Sequence, residues 1–453
     1  MNKYLFLFCS IAVNAYAKAS TNPNFVLFIA DDCTYKDIRC YGSENTTTTN
    51  IDNFAKEGMK FTQAYQAAPM SSPTRHNLYT GIWPVKSGAY PNHTTVNPDV
   101  KSIVHHLHPL GYKVALVGKS HINPKSVFPF DLYASSLEDG DIDFKALENF
   151  IEDCVKNKTP YCLLVASNQP HTPWNKGDRS LVPPRKLKLP PIYLDIEETR
   201  KEYSKYLAEV NYMDSEFGRL LKVIDRKKQK DNTVVVFLSE QGNSFPFAKW
   251  TCYDIGVHSG CIVRWPKKIK PNTVSNAIVE YVDILPTFID IAGGKPVSKL
   301  DGKSFKNVLL GKTDKHKKYT YSLQTTRGIN KGSDYYGVRS VYDGRYRFIL
   351  NFTPEVEFNC AETSTPLYKK WKELASSNSK AKELVTRYQY RPKKELYDVM
   401  NDPYCQNNLA DDKVYDSKIK ELSTALAQWM KECGDLGQET ELKAFERMPN
   451  RQK

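Results

Sequence analysis

Paired cysteine is the first thing this chain lacks. Its 10 cysteines are scattered over 453 residues, and no two stand in a C-x-x-C spacing. That excludes a cysteine-built zinc site and predicts no disulfide framework. Histidine is scarce too, at 9, and no His-rich set suited to a two-zinc centre is present. No apolar run is long enough to cross a bilayer. There is no internal repeat, no long low-complexity stretch and no folded nucleic-acid motif. An acidic excess is also missing: 64 Lys and Arg against 51 Asp and Glu leave a net charge of +13. Nucleic acid is the reflex partner for such a chain. Without a motif for it, steering of a polyanionic glycan accounts for the charge equally well, as does a plain solvated surface.

Met1 to Lys3, the apolar stretch Tyr4 to Val13 and then Ala15-Tyr16-Ala17 read as the three regions of a signal peptide. We expect a leader over residues 1–17, a periplasmic or secreted bacterial location, and no membrane attachment after cleavage. Cys9 falls within the leader, and an odd nine cysteines remain, so at least one thiol is free or intermolecular. The clearest helix runs from Glu197 to about Ile224, marked by Tyr203, Leu207, Val210, Met213, Phe217, Leu220 and Ile224 at three- and four-residue steps. Alternating buried strands and helices predict a large α/β domain over residues 22–312. Past Gly311 the pattern changes to short alternating strands. Val338 to Tyr342, the Asp343-Gly344 turn and Arg345 to Leu350 form a hairpin signal. A final helix from Asp416 to about Lys431 completes an α+β subdomain over 316–445 with an antiparallel sheet.

Four apolar runs read as strands buried on both faces of a sheet. Asn24 to Ala30 ends in Asp31-Asp32. Lys113 to Val117 ends in Gly118-Lys119-Ser120-His121. Tyr161 to Ala166 leads to Pro170-His171-Thr172-Pro173. Thr233 to Leu238 ends in Ser239-Glu240-Gln241-Gly242. Open α/β sheets bind ligands at the carboxyl ends of their strands. Two adjacent carboxylates repel each other unless a cation or a shared proton lies between them. Asp31, Asp32, Glu240 and Gln241 supply four hard oxygens, a set that suits Ca²⁺ or Mg²⁺. The triplet His105, His106 and His108 belongs to an amphipathic helix, as surface and core histidine. Ser71-Ser-Pro-Thr-Arg75 places a hydroxyl at a helix start, with Pro73 in the first turn and Gly81 closing the helix. Backbone N–H groups and the Arg75 guanidinium there favour an anion.

These residues together resemble the formylglycine-dependent sulfatases of the alkaline-phosphatase-like superfamily, near the carbohydrate sulfatases that include heparan sulfamidase. The matching motifs are Asp31-Asp32, Ser71-x-Pro73-x-Arg75, Gly118-Lys119-x-His121, Pro170-His171 and Lys249-x-Thr251-x-Tyr253-Asp254-x-Gly256. Support comes from Thr49 to Ala55, Val282 to Thr287 and Glu395 to Asp398. The resemblance implies a mixed sheet flanked by helices and a sulfuric ester hydrolase activity. It implies that a sulfatase-maturing enzyme oxidises Ser71 to formylglycine. The aldehyde hydrate would attack sulfur and later expel sulfate, two steps in place of one. The metal would be held by Asp31, Asp32, Glu240, Gln241 and the modified Ser71. Arg75, Lys119 and Lys249 would neutralise the sulfuryl oxygens, His171 would protonate the leaving oxygen, and His121 would act beside the nucleophile. Serine at position 71 is the form matured by the bacterial radical-based route.

Two departures stand out. Glu240-Gln241 replaces the commoner Asp followed by His or Asn, and Thr74 replaces Ser or Ala. The expected substrate is a sulfate ester on a terminal sugar of mucin-type galactose or N-acetylhexosamine, or of a glycosaminoglycan. N-sulfoglucosamine hydrolysis, and phosphonate or phosphate monoester hydrolysis, remain open as alternatives. Arg327, Asp334, Tyr335, Tyr336 and Arg339 are the expected substrate-pocket residues, with hairpin salt bridges as their alternative role.

Overall fold

The computed structural model describes residues 22–448; the expected leader over 1–17 lies outside them. Nine strands form the first sheet: β1 (Asn24–Ala30), β2 (Met59–Tyr65), β3 (Lys113–Gly118), β4 (Leu132–Ala134), β5 (Tyr161–Ala166), β6 (Thr233–Ser239), β7 (His258–Arg264), β8 (Thr273–Ser275) and β9 (Val279–Glu280). Their order is β4-β3-β5-β1-β6-β7-β2-β8, with β9 beside β2. The strands from β4 to β6 are parallel, while β7 runs antiparallel to both β6 and β2.

The reason for continuous apolar runs is visible in β1. Val26, Phe28 and Ala30 face one core cluster, whereas Phe25, Leu27 and Ile29 face another on the opposite side. Both faces are covered, so the period-2 alternation of side chains produces no polar face. The helix Glu197–Arg226 packs on the first face through the residues expected of it, Leu207, Val210, Met213 and Phe217 among them. Residues 284–291 form a helix on the other.

The second sheet is antiparallel: β10 (Thr320–Thr325), β11 (Gly337–Tyr342), β12 (Tyr346–Asn351) and β13 (Lys394–Asp398), in that order. β11 and β12 are the expected hairpin about Asp343-Gly344. The helix Asp416–Cys433 lies against this sheet through Leu422, Leu426 and Trp429. Buried Asp254 ties the two sheets together. It accepts from Arg347 Nη2 of β12 at 3.0 Å and from Tyr65 of β2 at 3.1 Å, and pairs with His258 Nδ1 of β7 at 2.9 Å.

One substrate-pocket expectation is overturned here. Arg339 of β11 lies wholly buried, with its Nε on Asp435 Oδ2 at 2.5 Å and its Nη2 on Glu441 Oε1 at 2.8 Å. Both its carboxylate partners are equally buried, so its guanidinium is spent inside the subdomain and presents nothing to a ligand.

Candidate active site

The carboxyl ends of β3, β5, β1 and β6 lie side by side, and the hydrogen-bond ladder continues past them. Asp31 N donates to Gln169 O at 2.9 Å, Glu240 N to Ala30 O at 3.1 Å, Cys33 N to Glu240 O at 3.0 Å, and Lys119 N to Ala166 O at 2.9 Å. The loops therefore leave the sheet in fixed register. Gly118 is needed for this exit: its φ is +102°, and a Cβ would meet Ala166 O at 2.0 Å. Gly256 answers the same constraint beside Lys249, where a Cβ would meet Thr251 O at 2.2 Å. Asp32, His121 and Gln241 take left-handed backbone angles, with φ of 59°, 50° and 32°. Such conformations are costly for residues with a Cβ and gather at functional sites.

Ser71 opens the helix Ser71–Thr80, every residue of which is buried. Pro73 sits in its first turn, and Gly81 caps it with φ of 67°. Ser71 Oγ donates to Asp31 Oδ1 at 2.9 Å and accepts from Gln241 Nε2 at 3.0 Å. Gln241 Nε2 also reaches Asp32 Oδ1 at 2.7 Å. Thus residues 31, 32, 71 and 241 meet at one point. Glu240 joins through Arg75, whose Nη2 is 2.5 Å from Glu240 Oε2 and 3.5 Å from Asp31 Oδ1.

Each acid of this cluster has a cation. Lys119 Nζ pairs with Asp31 Oδ2, Lys249 Nζ with Asp32 Oδ2 at 2.5 Å, and Arg75 with Glu240. Burial opposes ionisation of Asp31, but Lys119, His171 and Arg75 hold it well below the usual carboxylate range. Asp32 is held down against burial by Lys249 and His171. Burial, aided by the like charge of Asp31, pushes Glu240 well up despite Arg75. Three carboxylates so close together concentrate more negative charge than Glu240 tolerates.

The two histidines stand on opposite sides. His171 Nε2 is 3.5 Å from Asp32 Oδ2, and its Nδ1 is 2.7 Å from Thr172 O. A carbonyl only accepts, so Nδ1 carries a proton and Nε2 is the atom that faces the site. Burial lowers the His171 pKa despite the nearby Asp32 carboxylate. His121 Nε2 meets His93 Nδ1 at 2.9 Å, and burial with Lys119 keeps its pKa well below the ordinary value.

Of the expected substrate residues, Arg327 pairs with Asp334 at 3.4 Å and lies over Tyr335 with its guanidinium 4.3 Å from the ring centre. Arg327 O accepts from Asn92 N at 3.2 Å, next to His93. This group therefore borders the His121 side, while Tyr336 is buried. A cavity of about 850 Å³ opens along His171 and Lys249. Ser244, which donates to Asp32 Oδ2 at 3.0 Å, and His93 escaped the sequence reading. Ser244 had a signal, since it follows Glu240 by one turn of chain. His93 had none.

A mixed sheet with an acid cluster at its carboxyl edge, joined to a smaller antiparallel sheet, is the architecture of the alkaline-phosphatase-like hydrolases. A family model described as Sulfatase matches residues 23–294, and one described as N-sulphoglucosamine sulphohydrolase, C-terminal, matches residues 242–363. The chain belongs to the sulfatase family and is a sulfuric ester hydrolase. An ulvan-active sulfatase of Formosa agariphila is 33% identical over 92% of this chain and 82% of its own length. The human N-sulphoglucosamine sulphohydrolase is 24% identical, covering 91% of this chain and 90% of its own. Among solved structures, an enzyme in complex with its substrate D-glucosamine-2-N,6-O-disulfate superposes with a TM-score of 0.68 at 20% identity. It covers 92% of this chain and 99% of its own.

Proposed function

We propose that this protein is a carbohydrate sulfatase that removes a sulfate ester from a terminal sugar of a mucin-type or glycosaminoglycan chain, using an oxidised Ser71 and a divalent metal. The observation that carries this reading is the meeting of Ser71 Oγ with Asp31 and Gln241 inside a ring of three cations. Similarity to an ulvan-active sulfatase and to an N-sulphoglucosamine sulphohydrolase supports a carbohydrate substrate.

The donor set fits a hard cation. Asp31, Asp32, Glu240 and Gln241 offer oxygens, and Glu240 Oε1 and Gln241 Oε1 are buried without a hydrogen-bond partner. Buried oxygens with no donor are costly unless something electropositive meets them. Among the described residues no three acidic, His or Cys side chains form a ready-made cage; one of these four donors is an amide, and Lys119 and Lys249 lie on the two aspartates. These four residues would hold Ca²⁺ or Mg²⁺, which supplies Lewis acidity toward the sulfuryl oxygens. Formylglycine at position 71 supplies, as its hydrate, a nucleophile with a second hydroxyl.

Arg75, Lys119 and Lys249 do the electrostatic work. Each pairs with an acid in this structure. With a divalent ion bound by the acids, these cations would be available to orient the sulfate and offset charge developing on it. His171 Nε2, once protonated, holds the proton for the leaving sugar oxygen. His121, held through its Nε2 by His93, would act on the Lys119 side of the site.

The test joins mass and activity. Protein from its own host, or co-produced with a serine-type maturing enzyme, is digested and the Ser71 peptide weighed. It should lack two hydrogens, and the same sample should release sulfate from a panel of sulfated monosaccharides. An unshifted peptide from active protein would overturn the proposal.

A further inference from the structure

The cavity beside His171 and Lys249 belongs to none of the residues discussed so far as substrate contacts. Trp174 and Phe245 form one wall, stacked on each other with ring centres 5.2 Å apart. Trp250 forms another. The third wall is the segment 361–370, brought from the C-terminal part of the chain. It is held in place by Trp371, which is buried and donates from Nε1 to Thr199 Oγ1 at 3.0 Å, at the start of the helix Glu197–Arg226. Glu362 stands in that wall, close enough to Lys249 and Asp32 for their charges to be felt. It is buried, and its Oε2 accepts a weak hydrogen bond from the Cys360 thiol at 3.4 Å. The other charges of the cavity are mostly matched: Lys205 pairs with Glu202 at 2.5 Å, and Lys370 with Glu373 at 3.3 Å.

Burial raises the Glu362 carboxyl to about 7, against the pull of Lys249, and with so weak a side-chain donor its oxygens have acceptor capacity to spare. Aromatic walls suit the C–H face of a sugar ring, and a cavity of this size is that of a small-molecule site. We propose that the sugar bearing the sulfate lies in this cavity, and that Glu362 selects it by accepting a hydrogen bond from a ring hydroxyl near the scissile oxygen. The inference rests on the sulfatase reading above.

The experiment compares the matured wild-type enzyme with Glu362→Leu on three kinds of substrate: a hexosamine sulfate, its monodeoxy analogues, and 4-nitrophenyl sulfate, which has no ring hydroxyl. Glu362→Leu, which removes the acceptor, should lower kcat/KM for the sugar sulfate by about 10- to 100-fold and leave the aryl sulfate within about twofold, because an unmet polar group discriminates only against substrates that would have met it. In the wild type, one deoxy analogue should lose a similar factor, and in the variant that extra loss should vanish. Equal losses on sugar and aryl sulfates, or no deoxy analogue discriminated by the wild type, would overturn the proposal. The wild-type comparison needs no folded variant. Sulfate release from neither sugar nor aryl substrates would remove the sulfatase reading itself, and this inference with it.

Discussion

Single residues at this site are held by their neighbours more than by their own preferences. Lys119 leaves its strand through Gly118, which adopts φ +102° against Ala166 O. Gly118→Ala forces a Cβ into that carbonyl. We expect expressed but inactive protein with a melting temperature lowered by several degrees, roughly what 2–3 kcal/mol produces; unchanged melting would refute the steric account. Lys119→Ala is the contrasting case. Its side chain keeps partial solvent access, so the fold should tolerate the loss, while kcat/KM falls about 10²- to 10³-fold, as for a single charge-stabilising donor. Sulfate release measured beside thermal melting separates the two variants. The acid pairs and the Ser71 helix start were legible in the sequence, because each follows a recognisable buried run or turn signal. Their distances were not legible, since β1 and β6 meet across two hundred residues.

At the scale of elements, the strand ends are braced from behind. Ser167, at the end of β5, donates to Glu216 of the long helix at 2.6 Å and accepts from Gln169 N at 2.9 Å. That chain of bonds anchors the loop bearing His171. Burial pushes the Glu216 carboxyl up to about 7, with Ser167 pulling the other way. A carboxyl raised on folding stabilises below its unfolded pKa of about 4.3 and loses that contribution as pH rises through about 7. Glu216→Gln, which has no proton to lose, should therefore gain melting temperature relative to wild type between pH 5 and pH 8. A constant difference across that range would contradict the raised value. Elements also explain the misreading of Arg339. Its hairpin was visible, but both its acid partners come from about a hundred residues further on. The cavity wall at 361–370 was hidden for the same reason. Only the docking of Trp371 on the helix Glu197–Arg226 brings it to the site.

For the whole molecule, the junction of the two sheets is a buried ion network centred on Asp254. Burial alone would raise this carboxyl, yet His258 and Arg347 hold it at about 2. Its contribution to stability is present above the unfolded pKa, near 4, and disappears as pH falls toward 2. Arg347→Leu takes the guanidinium from that buried carboxylate and leaves it only Tyr65 and His258. At pH 7 the variant should lose about 3–5 kcal/mol in urea unfolding, and it should lose less at pH 3, where the carboxyl begins to accept a proton. A pH-independent loss would show that packing, not charge, holds the sheets together. Alternation of strands and helices was enough to foresee two sheets. That residues 361–370 close the cavity beside His171 was not, because contacts between distant segments leave no periodic trace.

Ser71 is only 3% exposed, at the head of a helix with no exposed residue. Another protein cannot dock on a hydroxyl so enclosed. On the proposed oxidation of Ser71, the maturing enzyme would have to reach this side chain while the polypeptide is still open, before β1 and β6 close around it. Timing would thereby be built into the architecture: processing first, folding second, with material that folds unprocessed left without its nucleophile.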